Sequence, residues 1–179
     1  ERSKKVAVVG GGVAGMEAAI SCAMRGHSVV LYEKTDRLGG QALLSHPMWF
    51  KNEMKKFHEY LEHQVKKRPA ITVVYNTEAT PEIIEQNDFD AVIVAVGAEQ
   101  IVPRIPGVEK AKMSFDVFGH EEIVGKKVVI IGGGAIGVEL GIHLNGLGRE
   151  CTVVEMGEFI AAKAQLTERT AYLNAIRDY

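Results

Sequence analysis

The chain has 179 residues, of which 46% are hydrophobic, and its 21 Lys and Arg nearly balance its 23 Asp and Glu. This length allows one ordinary domain or two small ones, and the net charge of -2 offers no basic surface for nucleic acid or an anionic membrane. The longest apolar runs, such as AVIVAV, are strand-sized and too short for a membrane helix. We therefore expect no nucleic-acid or membrane partner and, by default, a cytoplasmic location.

The two cysteines, Cys22 and Cys151, fall in a predicted helix and a predicted strand. They form no C-x-x-C or similar spacing, so we predict small core residues rather than a disulfide, a metal site or iron–sulfur ligation. The chain starts at Glu1 rather than Met, and residues 166–179 have a helical pattern without a closing strand or cap. We expect a piece of a longer polypeptide.

The first part of the chain has the pattern of a strand, a helix and a second strand. An apolar run at residues 5–9 enters a glycine-rich turn, apolar positions recur at helical spacing over 14–25, and residues 28–32 read as the next strand. Gly26 stands where such a helix ends. The pattern predicts a β-α-β unit, which builds a parallel sheet.

An amphipathic helix is predicted next, with a solvated face rich in lysine. Its apolar positions, at steps of three and four residues, are Phe50, Met54, Phe57, Leu61 and Val65. Trp49, beside Phe50 at the head of this helix, is expected in the core. The histidines show no ligand spacing and are expected at the surface, so no metal site is predicted; they are His27, His46, His58, His63, His120 and His143.

Three shorter elements follow this helix. They are a strand at residues 71–75, a helix over 81–86 with Thr80 as its N-cap, and a strand at 90–96 of the buried parallel type. The segment IVPRIPG that comes next carries two prolines and a glycine and is the best linker candidate.

Beyond this linker the order of strand, helix and strand returns. The predicted ranges are 127–131, 135–147 and 151–154. We predict an α/β fold with two Rossmann-like, doubly wound parallel sheets, the second unit nested after the first and both incomplete. The first unit is predicted over residues 1–105 and the second over residues 106–179.

A glycine-rich stretch occurs twice in the chain. VVGGGVAGME at residues 8–17 returns as IIGGGAIGVE at residues 130–139, a shift of 122 positions that also pairs Glu33 with Glu155. Each copy follows a strand, opens a helix and has that acid about 20 residues on, which is the full dinucleotide fingerprint. The sequence therefore predicts two nucleotide sites.

Each glycine of the fingerprint has a physical reason. The first permits a sharp turn, the second lets the backbone approach a pyrophosphate, and the third lets the helix pack on its strand. These glycines are Gly10, Gly12 and Gly15 in the first copy and Gly132, Gly134 and Gly137 in the second. The pyrophosphate is expected at the helix N-terminus, beside Val13 and Ala14 in one copy and Ala135 and Ile136 in the other.

The two acids are predicted to bind ribose, because a carboxylate at this position accepts hydrogen bonds from the ribose hydroxyls of adenosine. Glu155 also predicts NAD over NADP, since a carboxylate repels a 2′-phosphate. No arginine follows it; the next residues are Met156, Gly157, Glu158 and Phe159.

Two such fingerprints in one chain resemble the two-dinucleotide-fold flavoproteins, in which the first unit holds FAD and an inserted unit holds NAD(P)H. Glu33-Lys34 followed by Leu38-Gly39-Gly40-Gln41 is similar to that family's E-K-x-x-x-x-G-G turn. VAVGA at residues 94–98 is similar to its strand-end A-T-G motif, with Val96 in place of threonine. Beyond the glycine turn, the resemblance implies FAD contacts from Glu33, Lys34, Gly39, Gly40, Gln41, Ala79, Ala95 and Gly97.

Within that superfamily, two stretches resemble the C-terminal half of old-yellow-enzyme-like NADH:flavin oxidoreductases. They are LGGQ, which comes before a long helix, and the sequence VVIIGGGAIGVELG. These oxidoreductases form the group of 2,4-dienoyl-CoA reductase, enoate reductase and trimethylamine dehydrogenase. The resemblance implies hydride transfer from NADH to the flavin N5 of FAD. Electrons then pass to a 4Fe-4S cluster and FMN on a barrel outside these residues, where an enoate or enoyl-CoA substrate is reduced. No catalytic acid or base is predicted here.

Two alternatives stay open at this stage. The chain, as a fragment, is a nucleotide-binding segment without activity of its own, or it is part of the flavin subunit of a glutamate synthase or a ferredoxin reductase-like enzyme. The disulfide-reductase branch of the superfamily is disfavoured, because it needs a redox cysteine pair near the flavin and Cys22 and Cys151 do not have the spacing of such a pair.

Overall fold

A computed structural model describes residues 2–178, which form an α/β fold on two parallel sheets. This confirms the predicted fold class. Its strands and helices, in chain order, are β1 Lys5–Val9, α1 Val13–Met24, β2 Ser28–Tyr32, α2 Asn52–Lys66, β3 Ile71–Val74, α3 Pro81–Glu85, β4 Ala91–Val94, α4 Ser114–Val117, β5 Lys127–Ile131, α5 Ala135–Gly146, β6 Glu150–Val154 and α6 Leu166–Asp178.

The larger sheet has four strands in the order β3-β2-β1-β4, all parallel. β1 lies in the interior, where Val8 is paired with Leu31 of β2 on one side and Ile93 of β4 on the other. The chain therefore leaves β1 towards one side of the sheet and later returns on the other side. Such a reversal creates a crevice at the carboxyl ends of the strands, which is where open α/β sheets bind ligands.

The core of this sheet lies beneath α1 and α2. Met16 of α1 and Leu61 and Val65 of α2 are almost fully buried against Val8 and Leu31. Burying side chains of this size stabilises a fold by about 1.5–3 kcal/mol each. These contacts hold the start of α1 directly above the carboxyl end of β1.

The buried face of α2 differs from the predicted one. Met54 and Phe57 are each 45% exposed, whereas His58 is only 4% exposed. The core stripe runs through His58, Leu61 and Val65, which is the i, i+3, i+7 spacing of one helix face. The prediction that His58 lies at the surface is therefore wrong, and so is the prediction of a buried Trp49, which is 53% exposed.

β4 is shorter and less buried than predicted. It spans four residues, and Val92, Val94 and the following Val96 are exposed by 43%, 71% and 68%. The expectation of a buried strand is wrong because β4 is the outermost strand of its sheet within residues 2–178. An apolar run alone does not distinguish an edge strand from a central one.

The smaller sheet pairs β5 with β6 in parallel, with Val129 opposite Thr152. α5 packs on it and is buried from Gly137 to Leu144. α6 packs on α5, where the Tyr172 hydroxyl donates to Oε1 of Glu139 at 2.6 Å.

A buried polar group fixes the segment before β5. His143 of α5 is 3% exposed rather than at the surface as predicted, and its Nε2 lies 2.7 Å from Oε1 of Glu121. The Gly119 amide donates to the same oxygen, and Arg149 donates to the carbonyl oxygens of Glu121 and Val124. This network ties the segment to α5 and to Arg149, the residue before β6.

The chain divides into two compact units, which are Glu1–His46 with Phe50–Gln100 and Pro47–Trp49 with Ile101–Tyr179. The first contains the four-stranded sheet and the second contains the two-stranded sheet. The predicted linker IVPRIPG lies at the start of the second unit and enters no helix or strand. None of the helices within residues 2–178 combines the length and apolar character needed to cross a membrane.

Candidate functional site

The first glycine turn leaves β1 through a backbone conformation that favours glycine. Gly10 has a φ of 105° and its amide donates to the carbonyl oxygen of Tyr32 at 2.9 Å. A Cβ on Gly10 would lie 2.3 Å from the carbonyl oxygen of Ala95. Both the dihedral angle and the neighbouring strand end therefore require a glycine here.

The third glycine of each fingerprint lets the helix start directly against the turn. A Cβ on Gly15 would lie 1.8 Å from the carbonyl oxygen of Gly10, and one on Gly137 would lie 1.9 Å from that of Gly132. Either contact is far shorter than two atoms tolerate. The two turns are therefore built alike, as the repeat predicts.

Neither the backbone conformation nor a neighbouring protein atom requires a glycine at the second position of the fingerprint. Gly12 and Gly134 have φ values of -70° and -69°, which any residue adopts, and a Cβ on either would meet nothing within 4 Å. A ligand that must approach the backbone closely gives glycine a purpose at this position. These turns therefore fit a pyrophosphate group.

The helices that follow the turns begin without a side-chain cap. Gly12 and Gly134 are the N-cap residues of α1 and α5, and neither first turn holds an acidic residue. By contrast, the Thr80 hydroxyl caps α3 by accepting the amide of Ile83. The free amides and the positive end of the helix dipole favour an anion at the N-terminus of α1 and at the N-terminus of α5.

In the first unit, the acid at the end of β2 is held by backbone amides. Oε2 of Glu33 accepts the Gly11 amide at 2.8 Å, and Oε1 accepts both the amide and the hydroxyl of Thr35 at the same distance. A carboxylate has about four acceptor positions. Glu33 therefore keeps acceptor capacity while its orientation is fixed.

The second unit repeats this arrangement 122 residues later. Oε2 of Glu155 accepts the Gly133 amide at 2.8 Å, and Oε1 accepts the Gly157 amide at 2.8 Å. The hydrogen bonds from Gly157 and Gly133 hold the pKa of Glu155 below its ordinary value. The carboxylate is therefore negatively charged at neutral pH.

The repeat extends further than the sequence revealed. The Gly39 amide donates to the Gly11 carbonyl at 2.9 Å, and the Ala161 amide donates to the Gly133 carbonyl at 2.7 Å, with the same offset of 122. Both residues have positive φ, 123° and 51°. The correspondence is hidden in the sequence because glycine stands in one copy and alanine in the other, although both have a positive φ and donate to the glycine turn.

Other predicted FAD contacts of the first unit gather near these loops. Gln41 donates through its side-chain amide to the carbonyl oxygen of Ala98, just beyond Gly97. The loop before Ala79 is joined to Glu33 by the Thr77 amide, which donates to the Glu33 carbonyl at 2.9 Å. Three loops thus converge at the carboxyl edge of the sheet, and Lys34 is exposed beside them.

The predicted residues of the second copy lie in the second unit, around the start of α5. Ala135 is half-buried there and Ile136 is 43% exposed. A Cβ on Gly132 would meet nothing within 4 Å, unlike one on Gly10. The difference arises because β5 pairs only with β6 among the residues described, whereas β1 also has β4 beside it.

Comparison with protein families assigns almost the whole chain. The model of the pyridine nucleotide-disulphide oxidoreductase family matches residues 4–176. The chain belongs to this family. The predicted resemblance to flavin-dependent, pyridine-nucleotide-binding oxidoreductases is therefore confirmed.

Similar proteins of this family are reductases and oxidases. The chain is 39% identical to the bilirubin reductase of Mediterraneibacter gnavus over its full length, and 42% identical to the NADH oxidase of Thermoanaerobacter brockii over 88% of its length. It is also 39% identical to the cinnamate reductase of Clostridium sporogenes over 87% of its length. The chain covers 28%, 25% and 23% of these relatives, so it spans about a quarter of their length.

The solved structure of 2-naphthoyl-CoA reductase also matches nearly the whole chain, while the chain covers only part of that structure. It superimposes on 99% of the chain with a TM-score of 0.91 and 31% sequence identity, and the chain covers 27% of it. The fold of the family is thus present over nearly the whole chain, which matches about a quarter of that longer structure.

The cysteines of this family member do not form a redox pair. Cys22 in α1 and Cys151 in β6 are both free thiols. Burial raises the pKa of the Cys151 thiol, and a protonated thiol is a poor nucleophile. The disulphide chemistry in the family's description therefore has no counterpart in these two residues.

Proposed function

We propose that the first unit binds FAD and the second unit binds NADH, as the electron-transfer part of a flavin-dependent oxidoreductase. The observation that carries this proposal is the hydrogen bond from the middle of the glycine turn to the acid after the next strand. It joins Gly11 to Glu33 and Gly133 to Glu155, at 2.8 Å in both. Each unit thus has one glycine turn and one oriented carboxylate, which together would form one dinucleotide site.

In the first unit, the residues would hold FAD at the carboxyl edge of the sheet. The backbone of Gly12 and the free amides at the start of α1 would receive the pyrophosphate, and Glu33 would accept the ribose hydroxyls. Gly39 and Gly40 lie against the glycine turn, where a Cβ on Gly40 would be 3.1 Å from the Cα of Gly12. These two glycines therefore bring their loop close to the glycine turn that would receive the pyrophosphate.

In the second unit, Glu155 favours NADH over NADPH. Its carboxylate is charged and held in place by the Gly133 and Gly157 amides. It would accept the 2′-hydroxyl of NADH and repel the 2′-phosphate of NADPH. When bound, the nicotinamide and the flavin supply the hydride transfer, while the protein supplies position and electrostatics.

For the longer parent protein, we propose that electrons continue to an FMN and 4Fe-4S domain that reduces an enoate or enoyl-CoA type substrate. The names of the relatives support the substrate class, since they describe a cinnamate reductase and a 2-naphthoyl-CoA reductase. Those relatives are about four times the length of this chain, which leaves room for such a domain. A cytoplasmic location remains part of the same proposal.

A titration of the 179-residue chain tests the cofactor assignment. We expect FAD and NADH to bind together, each at one site per chain, with FMN and NADPH binding at least tenfold more weakly. Isothermal titration calorimetry of each ligand, alone and with the other at saturation, measures the stoichiometry. Competition of FAD and NADH for a single site would contradict the proposal.

A further inference from the structure

A buried histidine of α2 lies directly beneath the Leu38-Gly39 turn. His58 is 4% exposed, and its Nε2 lies 3.1 Å from the carbonyl oxygen of Leu38. A carbonyl oxygen can only accept a hydrogen bond, so Nε2 must carry the proton and donate it. This contact fixes the tautomer of the imidazole.

The imidazole and the turn are in close contact. A Cβ on Gly39 would lie 2.5 Å from Nε2 of His58, and the φ of 123° at Gly39 is one that glycine adopts without strain. The Gly39 amide in turn donates to the Gly11 carbonyl, and Gly39 bridges to Gly12. A continuous series of contacts therefore runs from His58 to the second glycine of the fingerprint.

Apolar packing alone does not explain a histidine at this position. The other ring nitrogen, Nδ1, is buried and has no hydrogen-bond partner among residues 2–178, and the same is true of Nε2 in the neighbouring His46, whose ring centre is 5.0 Å away. A buried polar atom without a partner is destabilising. A leucine would avoid this penalty, so the benefit of the histidine must come from its donor at Nε2.

We propose that His58 is a positioning residue, which holds the Leu38-Gly39-Gly40 turn against Gly11 and Gly12 through its Nε2 hydrogen bond. The turn is thereby set in its binding conformation before the dinucleotide arrives. This inference rests on the proposed binding of FAD by the first unit. It adds a residue that lies outside the fingerprint and behind the loop.

Three variants separate the hydrogen bond from packing. His58→Leu keeps an apolar filling but removes the donor, and His58→Gln can restore an N–H at the place of Nε2. His63→Leu, on the exposed side of the same helix, is the matched control. We expect His58→Leu to weaken FAD binding roughly tenfold, the size of one lost hydrogen bond, and His58→Gln to recover most of it.

Two measurements on the ligand-free chain keep the inference separate from FAD binding. Nitrogen-15 spectra should show the Nε2–H tautomer for His58, and hydrogen exchange at the Gly39 amide should be faster in His58→Leu than in His63→Leu. A Nδ1–H tautomer, or equal exchange in the two variants, would overturn the role of His58. Hydrogen exchange at the Gly39 amide that is as fast in His58→Gln as in His58→Leu would do the same. If the unaltered chain does not bind FAD while these two results hold, the proposed function fails and the positioning of the turn stands.

Discussion

Glu33 and Glu155 accept the same hydrogen bond, from the amide in the middle of a glycine turn to Oε2 at 2.8 Å. In each unit the other carboxylate oxygen accepts the amide two residues further along the chain. Backbone groups on both sides therefore fix the orientation of each acid. A ribose would meet a carboxylate that is already in place, which reduces the entropy lost on binding.

The carboxylate of Glu155 should decide between the two nicotinamide cofactors. In Glu155→Gln the one side-chain oxygen can still accept the Gly133 amide, but the negative charge and the acceptor for the Gly157 amide are lost. We expect NADH binding to weaken roughly tenfold and NADPH binding to weaken less or improve. Fluorescence titration of both reduced cofactors measures the ratio of their affinities.

The pH dependence of this discrimination provides a control. Because its hydrogen bonds hold the pKa of Glu155 below the ordinary range, the carboxylate stays charged over about pH 6 to 8. The charge on Glu155 should therefore be constant over that range, and the preference for NADH should rise only as the 2′-phosphate of NADPH loses its second proton at about pH 6, with a plateau above about pH 7. A preference for NADPH at any of these pH values would contradict the assignment.

The third glycine of the fingerprint should be essential for stability. In Gly137→Ala the new Cβ would lie 1.9 Å from the Gly132 carbonyl oxygen, so α5 or the turn must move. We expect a loss of about 2 kcal/mol or more in the free energy of unfolding, at the upper end of overpacking effects. Urea unfolding followed by circular dichroism measures it. Gly125→Ala is the control, since a Cβ there meets nothing within 4 Å; an equal loss in both variants would refute the packing argument.

The contact of Glu121 with His143 should make the second unit sensitive to acid. Partial burial of Glu121 opposes its ionisation, but hydrogen bonds from the Gly119 amide and from His143 outweigh this and lower the pKa of its carboxyl. A carboxyl with a lowered pKa in the folded state stabilises the fold above its unfolded pKa. This contribution is lost as the pH falls through the folded pKa. The contribution of Glu121 to stability should thus be constant from pH 7 to about 5 and fall below about pH 4.5.

Glu121→Gln tests the source of this dependence. We expect it to lower the free energy of unfolding at pH 7 by about 1–3 kcal/mol, with a difference from the unaltered chain that shrinks as the pH falls below about 4.5. Glu122→Gln is the control, because the Glu122 side chain is 73% exposed and pairs only loosely with His120; surface pairs contribute about 0–1 kcal/mol. Unfolding midpoints across pH give both results, and a constant difference at all pH values would exclude the charge as the cause.

Sequence predicted the two fingerprints because local geometry dictates them. A glycine at the first position follows from positive φ, and a glycine at the third follows from the carbonyl of the first. The spacing to the acid follows from the length of a β-α-β unit. These constraints act within a few residues or within one unit, so they can be recognised in the amino-acid sequence.

The parts that sequence missed depend on contacts between distant residues. His58 and His143 are polar residues that pack in the core through partners 20 and 22 residues away, Leu38 and Glu121. The exposure of Met54 and Phe57 depends on which face of α2 packs on α1. The periodicity of apolar residues alone predicted the wrong face at these two positions. The return of Ala161 to Gly133 is a backbone contact that carries no residue signature.

The most direct test of the two-site account uses the second glycines, because a Cβ on Gly12 or Gly134 would meet no protein atom within 4 Å. Both Gly12→Ala and Gly134→Ala should therefore fold as the unaltered chain does, and calorimetric titration of each with FAD and NADH measures both sites. We predict that Gly12→Ala loses at least tenfold in FAD affinity with NADH binding unchanged, and that Gly134→Ala does the reverse. If either variant lost affinity for both cofactors, or if both variants kept their affinity for both, the assignment of one dinucleotide site to each unit would be contradicted.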